Sequence, residues 1–182
     1  MTLFGDQQRF AVEVRYGSDS ARDIGSAFGR FRLWIRGQSF GCPGDSSSCF
    51  APSGESLRQR WRQRGQHHAD WVDRERPLAA LREVHELVYL LTDDDLAERG
   101  LQPNRVAEAV NLMMAPDGSE AFDDGSLVIQ WDTDDQVIVA GTIVTDEGVD
   151  DSIALIALAN NEFYGIIQEA IRFLDAPPVT PL

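Results

Sequence analysis

Alternation of apolar and polar residues marks the start of the chain. Phe10, Val12, Val14 and Tyr16 alternate with Arg9, Glu13 and Arg15, which predicts a strand over residues 9–16 with one wet face. A second strand follows over residues 29–36. There Phe31, Leu33 and Ile35 face one way, and Arg30, Arg32, Trp34 and Arg36 the other. Gly37 permits a tight reversal into Gln38-Ser39-Phe40, so the pattern predicts a hairpin. Residues 17–26 read as a polar turn. Residues 41–56, rich in Gly, Pro and Ser, read as a loop.

The period then changes. Leu57, Trp61, His68 and Trp71 recur at helical spacing, with Gly65 working against it. Pro77 breaks that run and occupies a first-turn position. Leu78, Leu81, Val84, Leu87, Val88 and Leu91 form an apolar stripe after it. Thr92 and Asp95 make an acidic variant of the capping box, opening a short helix that stops at Gly100. Pro103 opens another, with Val106, Val110 and Met113 expected inward and Pro116-Asp117-Gly118 as its stop.

Strands return in the last third. Leu127, Ile129 and Trp131 alternate, and Thr133-Asp134-Asp135 forms a turn. Residues 137–144 are apolar on both faces, the mark of a central strand. Residues 153–159 fit a strand or a helix. Phe163, Ile167, Ala170 and Leu174 fit an amphipathic helix, and Pro177-Pro178 begins a tail. This order predicts an α+β fold: a mostly antiparallel sheet of about five strands with helices packed on one face. Residues 1–176 are expected to form a single domain and 177–182 a C-terminal tail.

With 182 residues, 43% of them apolar, the chain suits one domain with a real core. It contains no Lys. Residues 1–82 hold 13 Arg against 9 Asp or Glu, a formal +4, and residues 83–182 hold 3 Arg against 21, a formal −18. The formal net charge of −14 argues against nucleic acid and anionic membrane as partners and favours a basic protein. No signal segment precedes Gly5-Asp6, and no apolar run approaches the roughly 20 residues of a membrane helix, so a cytoplasmic location is expected. Cys42 and Cys49 are then expected as reduced thiols.

Catalytic and metal-binding patterns are weak. Six residues separate Cys42 from Cys49, too many for a structural zinc pair. The Asp132-x-Asp134 start of a calcium loop lacks its glycine, because position six is Val137, and its terminal acid, because position twelve is Ile143. There is no nucleophile elbow and no phosphate-binding glycine motif. Arg58, Arg60, Arg62 and Arg64 spread around a helix instead of forming a stripe. The acidic runs read first as solvated turns. One catalytic alternative remains, a metal-dependent phosphoesterase combining those carboxylates with His67, His68 or His85. A protein that works by binding, without metal or cofactor, is the better expectation.

The N-terminal third sharpens this. Leu3-Phe4-Gly5-Asp6, then Phe10-Ala11, Phe28-Gly29-Arg30-Phe31, Trp34-Ile35-Arg36-Gly37 and Phe40-Gly41, resembles the opening of the immunity protein 42 family. Ser56-Leu57-Arg58 is similar to that family's step into its first helix, although the Pro- and Ser-containing segment 42–55 departs from its pattern. The resemblance implies a bacterial antitoxin, not an enzyme, that binds and neutralises a cognate polymorphic toxin. It implies scaffold roles for Gly5, Asp6, Phe10, Phe28, Gly29, Phe31, Trp34, Ile35 and Gly37. Asp123, Asp124, Asp132, Asp134 and Asp135 are then expected to meet a basic toxin, with Trp131 as an aromatic anchor. A regulatory or adaptor domain with no toxin partner is the remaining alternative. Oligomeric state stays open.

Overall fold

The computed structural model describes residues 1–16, 28–42, 48–73, 75–115 and 120–176. The expected turns at 17–26 and 116–118, most of the 41–56 loop before residue 48, and the tail at 177–182 fall wholly or mainly outside those residues. In chain order come strands β1 (Thr2–Gly5), β2 (Phe10–Tyr16), β3 (Phe28–Ile35), β4 (Gln38–Phe40) and β5 (Ser48–Cys49). Helices α1 (Phe50–Arg62), α2 (Pro77–His85), α3 (Asp93–Glu98) and α4 (Pro103–Leu112) follow. The chain ends with β6 (Met113–Ala115), β7 (Ser126–Asp132), β8 (Gln136–Thr145), β9 (Gly148–Val149), β10 (Ala154–Ala159) and α5 (Asn160–Asp175).

The α+β class and the antiparallel pairing stand. The strands, however, form two sheets where one was expected. The first has the order β1-β2-β3-β4 with β5 beside β3, and the second β10-β8-β7-β6 with β9 beside β8. Phe10, Val12, Leu33, Ile35 and Phe40 of the first sheet meet Val137, Val139 and Leu158 of the second in a shared core. The approach is close at Gly141, where a Cβ would lie 2.6 Å from the Phe40 ring. Helix α5 lays Phe163 and Ile167 into that core, and Phe163 sits 5.0 Å from Phe10 between ring centroids. Helices α2 and α4 cover the other face of the second sheet, where Leu81, Val84, Ala109 and Leu112 pack on Leu127, Ile129 and Trp131. Helices therefore serve both sheets.

Several local readings shift for physical reasons. Helix α1 begins at Phe50, inside the expected loop, because Ser53 and Gly54 are buried and small enough to pass close to Leu174. It stops at Arg62, and Gly65 (φ +80°) turns the chain so that His68 and Trp71 lie outside any helix. Val110 is 52% exposed. Ala109 and Leu112 are the buried positions of α4 instead. The apolar stripe after Pro77 continues past α2 as a π-helical turn over Glu86–Leu90. Strand β7 is buried along its whole length, since the second sheet is covered on both faces. Residues 154–159 form a strand, resolving the open choice there.

The motif residues fill scaffold positions. Arg36 (φ 50°) and Gly37 (φ 83°) make the two left-handed positions of the β3–β4 turn. Gly5 also has positive φ, and a Cβ at Gly29 would strike the Phe50 ring and the backbone of Arg15. The Asp6 side chain accepts from the Gln8 N–H at 2.8 Å. Phe10, Phe31 and Ile35 are core. Trp34 is half-buried, and its indole donates to the buried Glu13 at 2.9 Å. Phe28 opens β3, opposite Cys49.

Candidate functional site

The hairpin β7–β8 organises the expected contact residues and separates them. Asp123 and Asp124 precede β7, while Asp134 and Asp135 lie in the turn after it. The seven residues of β7 stand between, about 20 Å of strand. Asp123 and Asp124 line a cleft of about 620 Å³ with Asp146, Tyr89, His85 and Leu127. Asp146 and Glu147 form the β8–β9 turn at that same end. The Asp134 and Asp135 turn closes the other end, where the Asn160 N–H donates to the Asp135 carbonyl at 3.2 Å.

These carboxylates are uncompensated. Asp123, Asp134, Asp146 and Glu147 have no ion pair among the described residues, and Asp124 and Asp135 accept only from Ser126 and Thr133. The arginines contrast sharply. Arg9 pairs with Glu162, Arg58 with Glu55 and Asp175, Arg82 with Asp151, Arg99 with Glu86 and Arg105 with Glu83. These arginines are engaged within the molecule, while carboxylates at the two ends of the second sheet are in no ion pair among the described residues.

Two expected contact residues lie elsewhere. Trp131 is 3% exposed, packed beneath α2 and α4, with its indole N–H lacking a hydrogen-bond partner. Asp132 is buried too. Strand alternation puts Val128, Gln130 and Asp132 on the face opposite Trp131, toward α1 and α5. Asp132 was expected to meet the toxin instead.

That face holds a polar network. Tyr164 of α5 donates its hydroxyl to the Asp132 carboxylate, 2.8 Å from both oxygens. The Gln130 amide donates to Asp132 at 2.9 Å and to the Tyr164 oxygen at 2.8 Å. The backbone N–H groups of Gly65 and His67 donate to Asp132 at 2.7 and 3.2 Å. Arg60 of α1, fully enclosed, donates to the Met113 carbonyl and reaches Gln130 at 3.5 Å. Burial pulls the Arg60 guanidinium down to about 10, opposed by Tyr164 and Asp132, so it keeps its charge at neutral pH. Burial, reinforced by Arg60, pushes the His67 imidazole down to about 4 although Asp132 favours its charged form. His67 is therefore neutral at pH 7. Burial first, and then the hydrogen bond to Asp132, raises the Tyr164 hydroxyl above its usual value.

Sequence reasoning missed Arg60, Gln130 and Tyr164. A Gln-x-Asp pair on one face of an otherwise apolar strand was the available signal. The three histidines do not converge: His67 is buried in this network, His68 is exposed, and His85 stacks on Tyr89 at 5.5 Å. Among the described residues no three His, Cys, Asp or Glu side chains are grouped as metal ligands. Nor is any helix among them long and apolar enough to cross a membrane.

A model of the family described as immunity protein 42 matches residues 1–173. The chain belongs to the immunity protein 42 family. It is a toxin-neutralising immunity protein, an inhibitor and not an enzyme, and immunity proteins bind cognate toxins. The resemblance read in the N-terminal third thus extends across nearly the whole chain. The crystal structure of CdiI from Burkholderia dolosa AUO158 shares the fold, with a TM-score of 0.66 at 15% identity over 94% of this chain and 99% of that one. No curated protein matches the sequence.

Proposed function

We propose that this immunity protein neutralises its toxin in the cytoplasm by laying the acidic ends of its second sheet over a basic toxin face. The observation that supports this reading is the contrast in ion pairing. Six described arginines are held in ion pairs, Arg9, Arg58, Arg62, Arg82, Arg99 and Arg105, whereas Asp123, Asp134, Asp146 and Glu147 are in none among the described residues. Exposed charges of one sign speed encounter with a partner of the other sign and fix its orientation. A standard interface covers about 800 Å² on each partner, wide enough to touch both acidic ends about 20 Å apart. Asp123, Asp124, Asp134 and Asp135 are retained as contacts, and Asp146 and Glu147 join them. Trp131 and Asp132 act from inside, by holding β7 in place.

Charge reversal tests the proposal. Asp123, Asp124, Asp146 and Glu147, and separately Asp134 and Asp135, are changed to Lys. Affinity for the polypeptide encoded immediately upstream is then measured at several salt concentrations. At roughly 0.2–1 kcal/mol per exposed pair, the fourfold variant should bind about four- to several hundredfold more weakly, with a flatter salt dependence. Unchanged affinity and salt slope in both variants would sink the acidic face.

A further inference from the structure

Strand β10 is an unguarded sheet edge. It spans six residues, Ala154–Ala159, and is longer than the other marginal strands described, β1, β4, β5, β6 and β9. Its sequence, Ala-Leu-Ile-Ala-Leu-Ala, contains no charge, proline or glycine. Natural sheets usually protect such an edge with lysine, proline or a bulge.

The direction of its backbone groups follows from the register. The Asn160 N–H donates to Asp135, its partner in the continued β10–β8 ladder, which makes that a hydrogen-bonded pair. Alternation then turns Ala154, Ile156 and Leu158 toward β8 and leaves the N–H and C=O groups of Leu155 and Ala157, and the N–H of Ala159, pointing outward, while the Ala159 carbonyl caps α5. No backbone partner meets these outward groups among the described residues. Beside them runs a groove of about 430 Å³, walled by Leu155, Ile156, Ala157 and Ile138 on one side and by Arg9 and Arg36 on the other.

We propose that β10 receives an extended segment of the toxin as an added strand of the second sheet. This rests on the acidic-face reading and gives it a backbone component. The charges at the ends of the strand select the occupant. Asp150 precedes β10, next to the Arg82-bound Asp151, and Asp134 and Asp135 border its far end. A second copy paired antiparallel about Ala157 would turn Asp134 and Asp135 of one chain toward Asp150 of the other. Like charges then oppose self-pairing. A toxin strand with an apolar centre and Arg or Lys at its ends meets complementary charge at both.

Amide hydrogen exchange of the full chain tests this, alone and bound to the co-purified polypeptide encoded immediately upstream. Binding should slow the amides of Leu155, Ala157 and Ala159 at least tenfold. Ala157→Pro removes one outward N–H that no bond among the described residues uses, so it should melt like the parent yet bind at least tenfold more weakly. Exchange at the three amides unchanged in the complex overturns the proposal. So does slowing without toxin that grows with protein concentration, which would mean self-pairing. If Ala157→Pro fails to fold, the exchange result on the unaltered chain decides. Protection at β10 with no effect of charge reversal would refute the acidic face alone. Loss of binding on charge reversal with no protection at β10 would refute the added strand alone.

Discussion

The first sheet ends on short strands, β1 of four residues and β4 of three, whereas the second ends on the six-residue β10. Around the first, Arg9 and Arg58 are tied to the last helix through Glu162 and Asp175, and α5 covers β1 and β2 with Phe163, Ile167 and Phe173. The second sheet is covered on both faces, but among the described residues its margin carries carboxylates outside any ion pair and the apolar edge strand β10. The motif residues read in the N-terminal third lie in the first sheet and its turns, and the proposed contacts lie on the second.

The largest effect that would sharpen this division is expected at Asp132. Asp132→Ala strips the enclosed Arg60 of its nearby negative charge and leaves the Tyr164 hydroxyl and two backbone N–H groups without their acceptor. Removing one partner from such a buried network costs about 3–5 kcal/mol. At about 2–4 °C per kcal/mol, the melting temperature should fall by roughly 6–20 °C. Below that transition, toxin affinity should stay within about threefold of the parent, a shift of under 1 kcal/mol. A variant that melts normally but loses toxin binding would break the comparison and return Asp132 to the contact surface.

The next effect is one of pH. Folded His67 titrates near 4 and the unfolded residue near 6.5, so the unfolded chain binds the extra proton between those values. Stability from this residue is complete above pH 6.5 and is lost as the pH falls toward 4, by up to about 3 kcal/mol. Thermal melts across this range should show that decline, and His67→Asn should flatten it. A parent whose melting temperature holds steady from 6.5 to 4 would show that His67 is not held neutral.

The smallest effect belongs to the exposed pairs of the frame. Arg9→Ala breaks its bridge to Glu162 and should cost no more than about 1 kcal/mol. Chemical denaturation would measure it. A loss several times larger would make that bridge a principal fastening of α5.

Local chemistry was legible in the sequence. The alternation of β2 and β3, the Arg36-Gly37 reversal and the Thr92–Asp95 cap each depend on residues a few positions apart, and each forms as read. What covers a strand is not local. Asp132 read as a surface contact, and Gln130 went unread, because their partners, Arg60, Gly65 and Tyr164, are 32 to 70 residues away in sequence. The single expected sheet failed for the same reason: period two records two faces but not the layers that meet them. At α1, packing of Ser53 and Gly54 outweighed the loop propensity of Pro52, Ser53 and Gly54. The acidic turns were visible as charge, but only the fold sorts them into a buried carboxylate and two exposed ends.

The position of α5 bears on when protection begins. This helix is the last element of the described chain, yet it supplies core to β1 and β2, the first elements made, and Tyr164 completes the network around Asp132. At about 5–20 residues per second, some ten to thirty seconds of synthesis separate the first strand from the helix that seals it. A ribosome-bound nascent chain lacking residues 160–175 has every strand of its first sheet but not the helix that covers them, so the fold is sealed only once synthesis has passed residue 175.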